Sequence, residues 1–188
     1  MKLAVEWIVL LTFNCTMHYY ERSIRFCTNY YKLNRISQFM LKRPIYNPDS
    51  FYHWCEMDIR FRDLDPLNHV NNAVFNTYLE EARVQFVQSV PDFRESMQEG
   101  KSFVLVHIEL DYLKPIHYSD SLLIGSALVD LGNSSIKSFQ AIYSKETHEL
   151  KAVAETTGVW FDLTSQRPSR LPAIKITEKY FFKEFNNG

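Results

Sequence analysis

The sequence predicts an α+β domain, an antiparallel five-stranded sheet curled around one long helix. Three observations carry this. One long amphipathic segment occupies residues 73–90, one strand-like run precedes it, and four strand-like runs follow it. Helices do not alternate with strands, which argues against an all-parallel sheet. The 188 residues, 46% hydrophobic and 23% charged, are enough for one ordinary core.

Each element has a local reason. In FYHWCEMDIRFR (residues 51–62), Met57, Ile59 and Phe61 alternate with Asp58, Arg60 and Arg62, the pattern of a half-buried strand. DLDPLNHVNN follows, and Pro66 with three Asn makes it a structured loop. Asn71 or Asn72 caps the helix. Val74, Phe75, Tyr78, Leu79, Ala82, Phe86 and Val90 form its apolar face, with Glu80, Glu81, Gln85 and Gln88 towards the other side, and Pro91 stops it. Residues 103–113 then set Val104, Val106, Ile108, Leu110 and Tyr112 against a mixed face. Residues 121–131 and 135–144 flank a Gly132-Asn133 turn, and 151–163 form the last long strand. Pro168 and Pro172 end the sheet, and EKYFFKEF predicts a short closing helix.

Charge divides the chain. Basic and acidic residues number 21 and 22, a balance that does not hold nucleic acid by bulk electrostatics. Seven basic and two acidic residues precede Asp49, so a basic leader (residues 1–50) stands before an acidic body (residues 51–188). The apolar run LAVEWIVLLTF is too short to span a bilayer. Cys15, Cys27 and Cys55 share no metal-like spacing and point to a reducing compartment. The cytoplasm is the expected location, or an organelle if the leader is a transit peptide.

The loop before the helix concentrates chemistry: Asp63, Asp65, Asn68, His69, Asn71 and Asn72. Free N–H groups and the positive end of the helix dipole stabilise negative charge there, so a carbonyl oxygen placed against them is polarised. Asp65 stands a few residues upstream, where it attacks or deprotonates water beside that carbonyl. A capped turn whose Asp and Asn side chains satisfy backbone groups accounts for the same residue types. No glycine precedes Gly100, so no phosphate-cradling loop opens the helix, and no Gly-x-Ser-x-Gly elbow occurs. His107, Glu109 and Asp111 share a strand face at period two and read as a solvated face. No metal and no cofactor are expected.

The stretch RFRDLDPLNHVNNAVFNTYLEEAR, with ELDYLKPIHYSDSL, DLGNSS and FDLTSQRPSRLP, resembles the hot-dog-fold thioesterases of the 4-hydroxybenzoyl-CoA thioesterase family. The resemblance runs from Trp54 to Pro172. It implies hydrolysis of an acyl-CoA, or acyl-carrier, thioester by a homodimer or homotetramer. The family's catalytic carboxylate falls on Asp65 and its carbonyl-polarising amide on Asn72. His69 is similar to the histidine credited with catalysis in plant acyl-carrier-protein thioesterases, whose further Asn and Glu fall on Leu67 and near Pro115. Asn68, Asn71, Glu81, Arg167 and Arg170 are weaker substrate-binding candidates, the two arginines for coenzyme A phosphates. A hot-dog 3-hydroxyacyl thioester dehydratase or hydratase, and a non-catalytic acyl-thioester-binding protein, are the alternatives.

Overall fold

The computed structural model describes residues 44–173, 175 and 178–183. Residues 1–43 of the leader and the end of the expected closing helix lie outside the described residues. Five long strands form the sheet: β1 (His53–Asp58), β2 (Lys101–Tyr112), β3 (Ser121–Leu131), β4 (Ser135–Ser144) and β5 (Leu150–Asp162). A two-residue β6 (Arg167–Pro168) adds along β5. The long strands pair antiparallel with one another, in the order β1-β3-β4-β5-β2. β1 and β2 are therefore the two edges, and the helix between them in sequence must cross beneath the sheet.

That helix, α1 (Asn72–Ser89), is capped by Asn71, whose Oδ1 accepts from the Ala73 N–H at 2.9 Å. Phe75, Tyr78, Leu79, Ala82 and Phe86 bury its apolar face, largely as the periodicity predicts. One pocket of the core gathers Leu79 and Ala82 with Leu122, Ile124, Ile142 and Ala154 from the sheet. Deleting a side chain such as Leu79 costs about 2–5 kcal/mol. Arg83 is the exception on this face. It is buried, and its Nη1 donates to Gln140 Oε1 at 3.2 Å, while Gln140 Nε2 donates to the Leu79 carbonyl and to Ser126 Oγ. A satisfied polar network thus pins helix to sheet.

Four local expectations are corrected. The first strand ends at Asp58, because Asp63 accepts from the Arg60 N–H and Nε and winds Phe61–Asp63 into a 3-10 turn. The turn rotates Phe61 out of the predicted apolar face; it is 78% exposed and meets Tyr118 edge to face. Pro91 ends α1 but also begins a second helix, α2 (Pro91–Gln98), since proline suits a helix's first position. Trp160 holds α2 by donating to Ser96 Oγ and stacking on Phe93. On β2 a bulge at Val106 breaks the alternation, so Leu105 pairs with Gly158 and His107 with Thr157. Phe103 and Leu105, rather than Val104 and Val106, thereby share a face with Ile108, Leu110 and Tyr112. Finally, Glu178–Tyr180 form one 3-10 turn where the closing helix was expected to start.

The sheet face away from α1 is covered by residues 44–51 and by Phe182. Tyr143 OH donates to the Pro44 carbonyl, Trp54 Nε1 donates to the Pro48 carbonyl, and Phe51 lies over Gly125. The Lys183 N–H donates to the Ser50 carbonyl, tying the two together. Among the described residues no helix is long and apolar enough to cross a membrane.

Candidate active site

The loop between β1 and α1 is built around two aspartates with different surroundings. Asp63 is buried, and its Oδ2 accepts from Tyr78 OH at 2.7 Å as well as from Arg60. Burial alone would raise its pKa, but the bonds from Arg60 and Tyr78 outweigh burial and hold the carboxyl below the ordinary range. Burial, then the bond to Asp63, pushes the Tyr78 hydroxyl well above its usual value. The Asp63 carbonyl also accepts from the Asn71 N–H, which ties the loop's entry to the helix cap. Asp63 is a structural anchor.

Asp65 is half-buried and faces a cleft. Its Oδ1 accepts from the N–H groups of Leu67 (2.8 Å) and His69 (3.1 Å), and its own N–H donates to the His69 carbonyl at 2.7 Å. Pro66 starts the tight turn and Asn68 closes it at φ 59°, donating to the Asp65 carbonyl. One carboxylate oxygen is thereby fixed by backbone, and Oδ2 has no partner among the described residues. The loop is stitched to the chain beyond β2 by the Val70 N–H on the Ile116 carbonyl and a His69–His117 bridge.

The cleft measures about 350 Å³, and Asp65, Leu67, His69, Val70, Asn72, Phe75, Tyr112, Leu113, Lys114 and Pro115 line it. The three sequence-predicted catalytic residues are brought together here. Asn72 is the first residue of α1, and its N–H has no partner among the described residues, as expected of a helix's first turn. The His69 imidazole packs edge to face on His117, with ring centroids 4.8 Å apart. Asn71 serves as the cap, and Asn68 is exposed at the turn.

The remaining candidates lie elsewhere. Glu81 accepts from Gln85 Nε2 on the exposed side of α1. Arg167 is exposed on β6, and Arg170 donates to Asn133 Oδ1 at the sheet end remote from Tyr112. Leu67 and Pro115, the positions of the plant enzymes' Asn and Glu, do line the cleft but carry no functional group. Sequence reasoning missed Phe75, Tyr112 and Lys114. Tyr112 OH donates to the Asn72 carbonyl at 3.1 Å and its ring meets Phe75, while Lys114 pairs with Glu149. The motif YLKP marks a strand end, and nothing local shows that this end returns to the helix start.

A five-stranded antiparallel sheet curled round one long helix is the hot-dog architecture, and the open start of that helix looks into the Asp65 cleft. The description of the thioesterase-like superfamily matches residues 59–178, and the chain belongs to this superfamily. It is similar to the long-chain acyl-CoA thioesterase FadM of Escherichia coli K12, 33% identical over 112 residues, which cover 60% of this chain and 85% of that one. It is 25% identical over 125 residues to the chloroplastic acyl-acyl carrier protein thioesterase ATL3 of Arabidopsis thaliana, covering 66% of this chain and 65% of that one. Among solved structures, a Thermus thermophilus thioesterase complexed with coenzyme A and Zn is 38% identical, with a TM-score of 0.57 over 66% of this chain and 94% of that one. The protein is a thioesterase.

Proposed function

We propose that the protein hydrolyses acyl-CoA thioesters, with Asp65 activating the attack and the Asn72 N–H holding the oxyanion. The observation that carries this is the shared cleft, in which the backbone-anchored Asp65 carboxylate stands beside the unpaired N–H that begins α1. Similarity to an acyl-CoA thioesterase over most of that relative's length supports coenzyme A as the thiol carrier.

The chemistry follows from the groups present. The thioester carbonyl oxygen rests against the Asn72 N–H and the positive end of α1, which lowers the energy of the tetrahedral oxyanion. Asp65 takes a proton from water as the water oxygen bonds to the carbonyl carbon. Collapse of the intermediate breaks the C–S bond, and the departing thiolate recovers the proton. If Asp65 attacks directly, a mixed anhydride forms and water then opens it. Label found on the Asp65 carboxylate after repeated turnover in ¹⁸O-water identifies direct attack, with water opening the anhydride at the Asp65 carbonyl; trapping of the acyl-enzyme by hydroxylamine reports the anhydride whichever carbonyl water attacks. His69 acts through its backbone, holding Asp65 from both sides, so His69→Ala keeps more activity than Asp65→Asn.

The test is thiol release from an acyl-CoA panel. Asp65→Asn keeps the side chain's shape and removes its charge, and a positioned acid or base contributes about 10² to 10⁴ in rate. Wild-type turnover in Asp65→Asn overturns the assignment. Two copies are proposed to pair along β2, whose outer edge has no partner strand among the described residues and which exposes Val104 and Val106. The folded body is proposed to include residues from Pro44 onward, whose carbonyl accepts from Tyr143 on the sheet, and a reducing compartment such as the cytoplasm is proposed for it.

A further inference from the structure

Arg83 is a buried cation with no counter-ion among the described residues. It is 6% exposed, and the network on Gln140 engages its Nη1 alone, at 3.2 Å. A guanidinium carries five N–H donors, so most of them have no partner among the described residues. Burial pushes the guanidinium below its ordinary value, and the attraction of Glu80, three residues earlier on α1, offsets only part of that. Buried charges are normally paired. Here the side chain lines a cavity of about 120 Å³ bounded by α1, α2 and β2. Val87, Met97, Phe103 and Leu105 make its apolar wall. Ser102 adds a hydroxyl, and Glu80 is exposed at the rim. None of these residues lines the Asp65 cleft.

We propose that this cavity is a second binding site, for a small monocarboxylate with an apolar body, separate from the Asp65 cleft and independent of its chemistry. The ligand's carboxylate meets the Arg83 guanidinium, whose planar fork matches two carboxylate oxygens and is weakly hydrated. The buried charge thereby gains its counter-ion, and the apolar body lies against Val87, Met97, Phe103 and Leu105. Charge selects the ligand. One cation and one rim carboxylate line the cavity, so a single negative charge is matched. A phosphate dianion would meet repulsion from Glu80 with no second lining cation to offset it. Volume sets the size. A water needs about 10–15 Å³ of such space, so the cavity takes about eight to twelve waters, or as many non-hydrogen atoms of a ligand. Hexanoate, with about eight, fits.

Calorimetric titration of the full chain with hexanoate tests this, with hexanamide as the uncharged control of the same shape. Hexanoate is expected to bind with a Kd below about 1 mM. Hexanamide is expected to bind about tenfold more weakly, because hydrogen bonds to an ionised group are the stronger ones. Val84→Trp fills the cavity from a position that is 45% exposed, so the ring does not have to enter the closed core. Arg83→Met keeps much of the side chain's length and removes its charge. Hexanoate affinity is expected to fall about tenfold in each variant. Arg83→Met also loses the Gln140 bond, so its unfolding midpoint is measured first, and Val84→Trp decides alone where Arg83→Met does not fold. Hexanoate held in the Asp65 cleft would be insensitive to both changes. Affinity unchanged in folded Val84→Trp, hexanamide binding as tightly as hexanoate, or no binding up to about 10 mM hexanoate overturns the site. Displacement of hexanoate by inorganic phosphate overturns the choice of a monocarboxylate. Loss of thiol release in any assay leaves this site standing, and its failure leaves hydrolysis at Asp65 untouched.

Discussion

Replacing Tyr78 by Phe removes one hydroxyl and leaves the ring's packing, which isolates the anchor beneath the catalytic loop. Asp63 is 3% exposed and accepts three bonds at Oδ2: Tyr78 OH at 2.7 Å, Arg60 Nε at 2.9 Å and the Arg60 N–H at 3.2 Å. The substitution leaves the Arg60 donors at Oδ2, with Arg62 Nε 4.0 Å from Oδ1, on a buried charge. A hydrogen bond to a charged group contributes about 1.5–3 kcal/mol. For a chain of this size, where each kcal/mol moves Tm by about 2–4 °C, the expected loss is about 3–12 °C. The pH dependence has a definite sign. The folded state holds the Asp63 carboxyl below its unfolded value of about 3.9, so its contribution is full above that pH and is lost as pH falls through the folded value. The gap between wild type and Tyr78→Phe is therefore widest at neutral pH and closes on acidification. Urea unfolding at a series of pH values, with the slope unchanged, measures it. A gap below about 0.5 kcal/mol at neutral pH, the range of ordinary surface changes, refutes the anchor. So does a gap that widens in acid.

Asn72→Ala is expected to retain most activity, whereas Asn72→Pro, which lacks the N–H but suits the first position of a helix, loses kcat with the fold intact; thiol release and circular dichroism read the two effects. A chain beginning at Met40 is expected to keep its unfolding midpoint. One beginning at Tyr52 loses the Phe51 ring over Gly125 and the Pro44 and Pro48 carbonyls, at a cost of about 3–5 kcal/mol. Sedimentation at micromolar concentration is expected to show a species of at least twice the 22.3 kDa chain mass, and Val106→Lys on the exposed β2 edge shifts it towards monomer.

Much of the fold is legible in the chain because local physics decides it. The spacing of Phe75, Tyr78, Leu79, Ala82 and Phe86 can only bury one face of a helix, and Asn71 before it has the side chain that caps one. Strands β3 and β4 fall between turn residues and match their predicted limits. The Asp65 loop is visible for the same reason: Pro66 and the asparagines forbid regular structure, and the carboxylate and open helix N-terminus are neighbours in sequence.

Other features required the folded chain. Whether Val106 or Leu105 faces the helix turns on a bulge, which depends on how β2 registers against β5 fifty residues later. The burial of Arg83, a charged residue on the helix, is decided by Gln140 from β4, which offers it a buried acceptor. Tyr112 and Lys114 join Asp65 only because β2 lies at the far edge of the sheet and runs back along α1. Periodicity and turn chemistry act over a few residues and are written in sequence. Which strand becomes an edge, where a bulge falls and which polar groups meet in the interior are settled by non-local pairing and burial, and those decide the shape of the cleft.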